Sequence, residues 1–362
     1  LDANSFHEIG KIAGKAEYDE DGNLKNFVPA NFIVGRGKIN NRDVVVGGDD
    51  FTVRGGAADA SIHQKQIIAE QFANEYRLPI IRLIEGTGGG GSVKSLDTES
   101  RTYIPANPGW DWVVDNLSTV PVIALALGPV AGLGAARMVT SHFSIMVEDI
   151  AQMFVAGPPV VKRLGQDLTK EELGGSKIHA KNGAIDILVK SEEEAFEVTK
   201  KILSYLPSSV DGLPERGDII DDPKRKDEWL LEAIPKDRRK IYDPRKIIDS
   251  VIDKDSFLEF GRSHGQSVIA GLARLDGWPV AILAGDPMFY GAGWTSEASN
   301  KVTRFVDIAE TFHLPVVNLV DNPGFVIGLD AEKAATIRHG ARALTTVYQT
   351  PHPGISINLH KV

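Results

Sequence analysis

Tyr76-Arg77-Leu78-Pro79-Ile80-Ile81-Arg82-Leu83-Ile84-Glu85-Gly86 and Phe312-His313-Leu314-Pro315-Val316-Val317-Asn318-Leu319-Val320-Asp321-Asn322 follow one pattern. Each opens on an aromatic residue and a Leu-Pro pair, passes through a β-branched run and closes on an acid. Proline cannot continue a helix, so the pattern predicts a helix before each Leu-Pro and a strand after it. The helices are predicted from Ser61 to Tyr76, with Ile68, Phe72 and Tyr76 on one face, and from Glu297 to Phe312, with Phe305, Ile308, Ala309 and Phe312 on one face. Upstream lie short apolar strands, Asp43 to Val46 and Pro279 to Leu283, and before them the echo of Ser5-Phe6-His7-Glu8 in Ser256-Phe257-Leu258-Glu259. Downstream, Ile123 to Val130 matches Ile355 to Val362. Strands alternating with helices imply parallel βαβ units, and two copies imply two similar α/β domains.

Between the copies, residues 207–244 hold Pro207, Pro214, Pro223, Pro235 and Pro244 and the charged run Asp221 to Glu228. That composition reads as a linker or interdomain segment. The expected domains are therefore 1–206 and 245–362, joined by 207–244.

The 362 residues are 42% hydrophobic and 25% charged, a balance that supports a large core and excludes a disordered chain. The formal net charge of −9 argues against a nucleic-acid binder. The one basic run, Lys236 to Lys240, is short, is interrupted by Asp237 and reads as a solvated linker. With no cysteine, disulfides, thiolate zinc sites and a cysteine nucleophile are excluded. No metal is expected. The long apolar run from Val120 to Ala136 contains Pro121, Pro129, Gly128, Gly132 and Gly134, so it reads as a buried strand entering a glycine turn rather than a transmembrane segment.

Two glycine turns invite ligands. Gly86-Thr87-Gly88-Gly89-Gly90-Gly91 satisfies GxGxxG, but no amphipathic helix follows and no Lys follows Gly91, so neither a dinucleotide fingerprint nor a phosphate loop is formed. In Gly128-Pro129-Val130-Ala131-Gly132-Leu133-Gly134, a strand runs into small residues that can open a helix. The free N–H groups there either face a developing negative charge or only close a tight turn, and spacing does not choose between these. No GxSxG occurs, so a serine-hydrolase triad is not supported.

The chain resembles a known family in several ordered stretches. They are Asp50-Phe51-Thr52-Val53-Arg54-Gly55-Gly56-Ala57, then Gly128 to Gly132, Gly157 to Lys162, Glu171 to Gly175 with His179, Ala298 to Phe305, Asp321-Asn322-Pro323-Gly324-Phe325 and Arg338 to Ala341. The family is the carboxyltransferase (β) subunits of biotin-dependent acyl-CoA carboxylases, of the propionyl-CoA and methylcrotonyl-CoA type, within the crotonase superfamily. The resemblance implies two tandem crotonase-like ββα-superhelix domains related by duplication. It implies a transfer in which carboxybiotin releases CO2 locally, biotin takes the proton of the α (or vinylogous γ) carbon of an acyl-CoA, and the resulting enolate attacks CO2. No Met-Lys-Met occurs, so biotin is expected on a separate biotin carboxylase or biotin carboxyl carrier subunit.

On the matching positions, the resemblance places Gly132 and Leu133 as backbone oxyanion donors. It places Arg54, Gly55, Gly56, Ala57, Gly128 and Ala131 beside the acyl-CoA, and Pro323, Gly324 and Phe325 at the biotin pocket. Asp321 reads equally as a turn cap, and Glu171, Glu172 and His179 read as structural. A homo-oligomer, a dimer or trimer of dimers, is implied, with the first domain of one subunit meeting the second domain of another. The location implied is cytoplasmic, or the mitochondrial matrix in a eukaryote.

Three departures stand out. Glu85-Gly86-Thr87-Gly88-Gly89-Gly90 replaces the family's Asp-Ser-Gly-Gly-Ala-Arg, Leu133 replaces a usual glycine, and Gly285-Asp286-Pro287 replaces Asn-Gln-Pro. By the repeat, a second oxyanion loop is expected just past Val362. The rival readings are a biotin-dependent acyl-CoA decarboxylase subunit running the reverse transfer, and a non-catalytic scaffold with the same fold.

Overall fold

A computed structural model describes residues 1–56, 63–86, 109–219, 221–237 and 240–360. In it the two Leu-Pro pairs end their helices by the same hydrogen bonds. Arg77 N–H donates to Asn74 O and Leu78 N–H to Ala73 O; His313 N–H donates to Glu310 O and Leu314 N–H to Ala309 O. Arg77 and His313 both take the left-handed conformation, with φ of 55° and 59°. This is the Schellman ending, in which a left-handed residue turns the chain so that the last carbonyls are satisfied. The proline behind each leucine then directs the chain into a strand.

The elements in chain order are β1 (His7–Ile9), β2 (Gly14–Tyr18), β3 (Leu24–Pro29), β4 (Phe32–Ile39), β5 (Arg42–Asp49), α1 (His63–Glu75), β6 (Ile80–Gly86), α2 (Trp110–Asp115), β7 (Val122–Ala131), α3 (Leu133–Val139), β8 (Phe143–Val147) and β9 (Gln152–Phe154). They continue with α4 (Pro158–Val161), α5 (Lys170–Gly174), α6 (Ser176–Asn182), β10 (Ile187–Val189) and α7 (Glu192–Tyr205). The second half holds α8 (Pro244–Val251), β11 (Leu258–Phe260), β12 (Val268–Leu275), β13 (Trp278–Gly285), α9 (Ser296–Thr311), β14 (Val316–Val320), α10 (Leu329–Lys333), α11 (Thr336–Gln349) and β15 (Gly354–Asn358).

Two units partition the chain, Leu1–His179 with Leu188–Lys200, and Ala180–Ile187 with Lys201–Val362. Residues 201–244, read in the sequence as a domain end and a linker, therefore group with the second unit. In the first unit the sheet runs β1-β4-β5-β6-β7-β8-β10, with β9 beside the end of β7. Strands β5, β6, β7 and β8 are parallel neighbours. Val122 to Ala126 are fully buried, the continuous apolar run of a central parallel strand covered on both faces. In the second unit the order is β11-β12-β13-β14-β15, with β13, β14 and β15 parallel.

The duplication extends to backbone detail. Gly55 (φ 62°, ψ 33°) and Gly291 (φ 58°, ψ 33°) sit at the same place in the two tight turns Arg54–Gly56 and Tyr290–Ala292. Gly56 and Ala292 follow with φ of 67° and 68°. These pairs, like Arg77 and His313, share one spacing along the chain. α9 buries Phe305, Ile308 and Ala309 as its periodicity requires, with Phe312 buried just past its end.

α1 departs from expectation. Ile68 and Tyr76 are exposed, and the buried face carries Ala69, Glu70 and Ala73. The reason is Glu70. Its carboxylate takes two hydrogen bonds from the fully buried Arg82 of β6, at 2.8 and 2.7 Å, and one from the Asn116 amide at 3.0 Å. The small alanines beside it allow the helix to lie close to the sheet. Arg82 also donates to the carbonyls of Arg137 and Thr140, the last turn of α3. One guanidinium therefore joins α1, β6 and the far end of the helix that starts at Leu133.

Burial alone pushes the Glu70 carboxyl up, but Arg82, Arg137 and Asn116 hold it below its ordinary 4.5. The stability this contributes is fully present above that ordinary value and is lost as pH falls through the lower folded-state value. Arg82→Met leaves the buried Glu70 with only the Asn116 amide and the more distant Arg137, 3.8 Å away, and is expected to cost about 3–5 kcal/mol in urea unfolding. Adding Glu70→Leu is expected to recover part of it.

Candidate active site

In parallel α/β sheets ligands gather beyond the carboxyl ends of the strands. Here those ends are Asp49, Gly86 and Ala131. They are brought together by contacts that only glycine permits. A Cβ on Gly56 would lie 2.6 Å from the Glu85 carbonyl, and one on Gly86 would lie 2.9 Å from Gly56 Cα and 3.0 Å from Gly55 O. The turn Arg54–Gly56 is thus seated directly on the end of β6. On the other side, a Cβ on Gly128 would lie 2.3 Å from Glu85 Oε1 and 2.6 Å from its Cδ. The Glu85 side chain occupies the space that Gly128 leaves open.

The structure therefore gathers Arg54, Gly55, Gly56 and Gly128 around the end of β6, and Ala131, Gly132 and Leu133 follow at the end of β7. Ala57 and Thr87 to Gly91 lie outside the described residues. The sequence reading missed Glu85 as a member of the cluster, although its departure from the family pattern marked the place.

The electrostatics are acidic. Asp49 Oδ2 accepts the Glu85 N–H at 3.1 Å, and Asp49 Oδ1 is 3.9 Å from Arg137. Burial raises the Asp49 carboxyl, against the pull of Arg137, the Glu85 amide and Gln66. Glu85 is raised too, by burial and then by the negative charges of Glu192 and Asp49.

The oxyanion assignment needs one correction. Gly132 N–H donates to Phe154 O at 3.1 Å, because β9 runs beside the end of β7 and takes this amide into the sheet. It is not available to a ligand. Leu133 opens α3, and the first amides of a helix have no intrahelical acceptor. Among the described residues, the Leu133 and Gly134 amides at this turn have no backbone acceptor. Leu133 itself is half-buried.

The residues read as structural have structural partners. Glu172 and Thr169 form a capping box at the start of α5, and His179 Nε2 lies 2.7 Å from Met153 O.

In the second unit, Asp321 is fully buried and accepts from the Tyr242 hydroxyl at 2.7 Å, with His360 Nδ1 3.9 Å away. Burial, then Asp321, raises the Tyr242 hydroxyl, which favours its protonated form as the donor to Asp321. The chain then turns through Pro323 and Gly324. Gly324 N–H donates to Asn322 Oδ1 at 2.8 Å, while Trp294 N–H donates to Gly324 O at 3.0 Å. Phe325 rests edge-on to Trp294 and over Gly340, where a Cβ would lie 2.4 Å from its ring. Asp321, Asn322 and Trp294 line a cavity of about 280 Å³ whose remaining walls include Val302, Val316 and Leu344. Asp286, one of the departures, is buried and paired with Arg245 at 2.7 Å, and Arg245 also grips Glu259. Among the described residues no cluster of His, Asp and Glu could hold a metal ion, and no helix is long and apolar enough to cross a membrane.

A duplicated α/β fold whose central strands end on glycine-lined turns, with free amides at a strand-to-helix turn, defines a crotonase-like protein. The chain belongs to the carboxyl transferase domain family, whose model matches residues 1–362. It is 31% identical over 375 residues to the biotin-dependent acetyl-/propionyl-coenzyme A carboxylase beta5 subunit of Mycobacterium leprae, covering 100% of this chain and 66% of that protein. It is 32% identical over 366 residues to the methylmalonyl-CoA carboxyltransferase 12S subunit of Propionibacterium freudenreichii subsp. shermanii, covering 100% and 68%. Among solved structures, transcarboxylase 12S, a hexamer crystallised with hydrolysed methylmalonyl-coenzyme A, matches with a TM-score of 0.88 and 30% identity over 99% of this chain and 70% of that one. The chain thus spans about two thirds of the length of these relatives.

Gly132→Pro demands φ near −65°, against the observed 59°, and removes the bond to Phe154. It is expected to lower the melting temperature as well as any activity, which thermal unfolding would detect.

Proposed function

We propose that this chain is an acyl-CoA carboxyltransferase component. It moves a carboxyl group between carboxybiotin, presented by a separate carrier subunit, and the α or vinylogous γ carbon of an acyl-CoA through a backbone-stabilised enolate. The observation that carries this reading is the convergence of the Arg54–Gly56 turn, Gly86 and Gly128, with the Leu133 turn at the end of the adjoining strand. Preorganised amides aimed at a developing oxyanion are the largest single contribution in such chemistry. Leu133 N–H, with Gly134 N–H beside it, is assigned to the thioester oxygen. Arg54, Gly55, Gly56, Ala57, Gly128 and Ala131 frame the acyl-CoA.

Pro323, Gly324 and Phe325 frame the biotin side. The cavity bounded by Asp321 and Asn322 supports this, since a buried carboxylate and amides beside apolar walls suit a ureido ring. The first unit is thus the acyl-CoA side and the second the biotin side, and a homo-oligomer brings the two sides of different copies together. The cysteine-free composition suits a reducing compartment, the cytoplasm or the mitochondrial matrix.

The test is carboxyl transfer from malonyl-CoA or methylmalonyl-CoA to free biotin by the purified chain, followed as release of acetyl-CoA or propionyl-CoA. Absence of transfer, with the biotin carrier supplied as well, would sink the reading. Leu133→Pro is the sharper probe. Proline is welcome at the first position of a helix but has no N–H. The variant is expected to keep its melting temperature and lose about 10²–10³ in kcat.

A further inference from the structure

Arg137 stands one helical turn after Leu133 on α3, and its side chain is buried. The guanidinium lies between two acids from different elements. Asp49 Oδ1, at the end of β5, is 3.9 Å from Nη1, and Glu70 Oε1, on α1, is 3.8 Å from Nη2. The ring of Phe32 on β4 lies against it, with its centroid 5.5 Å from the guanidinium carbon. Both acid distances exceed a hydrogen bond, and Nη1 has no hydrogen-bond partner among the described residues. Each acid already has nearer partners. Glu70 accepts from Arg82 and Asn116, and Asp49 accepts from the Glu85 N–H and the Gln66 amide. A buried donor left unbonded weakens a fold, and an apolar side chain of similar size would cover Phe32 without that cost. Packing and hydrogen bonding alone therefore do not account for an arginine at this place. What it joins is geometry. Asp49 Oδ2 holds the Glu85 N–H at the end of β6, where the Arg54–Gly56 turn is seated. The Arg137 carbonyl accepts from Arg82 at 3.1 Å. One residue of α3 is thus held at its backbone from β6 while its side chain reaches the end of β5.

We infer that Arg137 is a positioning residue of the acyl-CoA site, setting the Leu133 and Gly134 amides against the strand ends that carry the Arg54–Gly56 turn. The inference rests on the acyl-CoA reading above. α3 is seven residues long, and Arg82 holds it at its last turn. A short helix held only there can rotate about that hold, and its first amides then sweep farthest. A second attachment, from the middle of the helix to a strand end of the site itself, removes that rotation. Amides aimed at an oxyanion act on charge that is present only in the transition state. Their misalignment therefore lowers kcat and leaves KM for the acyl-CoA near the parent value.

The experiment measures kcat and KM for carboxyl transfer from methylmalonyl-CoA to free biotin in the full chain. It compares the parent protein, Arg137→Gln, Arg137→Lys, Leu133→Pro and the Leu133→Pro, Arg137→Gln double variant. Arg137→Gln is expected to lose about 10²-fold in kcat, the scale of a small misplacement of reacting groups, with KM unchanged. Arg137→Lys keeps a charge between the two acids and is expected to recover most of that loss. In the Leu133→Pro background the same Arg137→Gln change is expected to cost far less than in the parent, because both substitutions act through the same amides. A purely structural role predicts an equal fractional loss in both backgrounds. If Arg137→Gln does not fold, Arg137→Met with Asp49→Asn takes its place. That pair removes both charges and keeps an acceptor for the Glu85 N–H, and it carries the same expectations. Unchanged kcat, a rise in KM that accounts for the lost activity, or equal losses in the two backgrounds overturns the inference and leaves the acyl-CoA reading standing. Absence of transfer in the parent protein removes the acyl-CoA reading and the inference with it.

Discussion

The buried pair of Arg82 and Glu70 governs the geometry of the first unit. Arg82 sits at the middle of β6 with no exposed surface, and its charge is tolerable only because Glu70, two helix-end carbonyls and the surrounding network absorb it. Breaking the pair would strand a charge in the sheet, so α1, β6 and α3 hold one arrangement. A helix C-terminus carries a partial negative charge, and a guanidinium there is favourable. α3 is thereby pinned at its far end, and its near end, Leu133, presents amides from a fixed origin. A site made of backbone donors needs such an anchor, because no side-chain rotamer can correct a helix that has shifted.

The second constraint is close approach. Gly56, Gly86 and Gly128 let three chain segments pack at separations that a Cβ forbids. The equivalent place in the second unit uses a different solution. Ala292, fully buried, takes the left-handed conformation that Gly56 takes in the first unit, and its Cβ lies 3.1 Å from where a Cβ on Gly285 would stand. A methyl group at such φ costs on the order of 1 kcal/mol. The second unit therefore holds its turn by filling the space that the first leaves open.

Much of this was legible in the sequence. The two Leu-Pro patterns carry their meaning locally, since a left-handed cap and a proline act within a few residues, and the duplicated α/β architecture follows from them. The glycine turns were visible for the same reason. What the sequence did not reveal depends on partners far along the chain. Glu70 turns the face of α1 because Arg82 lies across the sheet, so the apolar stripe of Ile68 and Tyr76 misleads. Gly132 loses its amide to Phe154, more than twenty residues on, and no spacing rule anticipates that. Glu85 was read only as a departure from a pattern, because its role comes from the emptiness at Gly128.

The repeat makes the two units comparable position by position, and the comparison separates their chemistry. Glu85 and Asp321 both stand at the end of a central parallel strand, and the repeat matches Gly128 of β7 with His360, just past the end of β15. In the second unit the acid is completed. Tyr242 donates to Asp321, and His360 stands near it, so the acid is held by partners where its segment leads to Gly324 and Phe325. In the first unit the matching acid faces bare glycine and two other carboxylates, with burial and repulsion both favouring a proton. The repeat places a carboxylate at this position twice, as Glu85 and as Asp321. The surrounding residues then gave one acid a hydroxyl donor and set the other against glycine backbone.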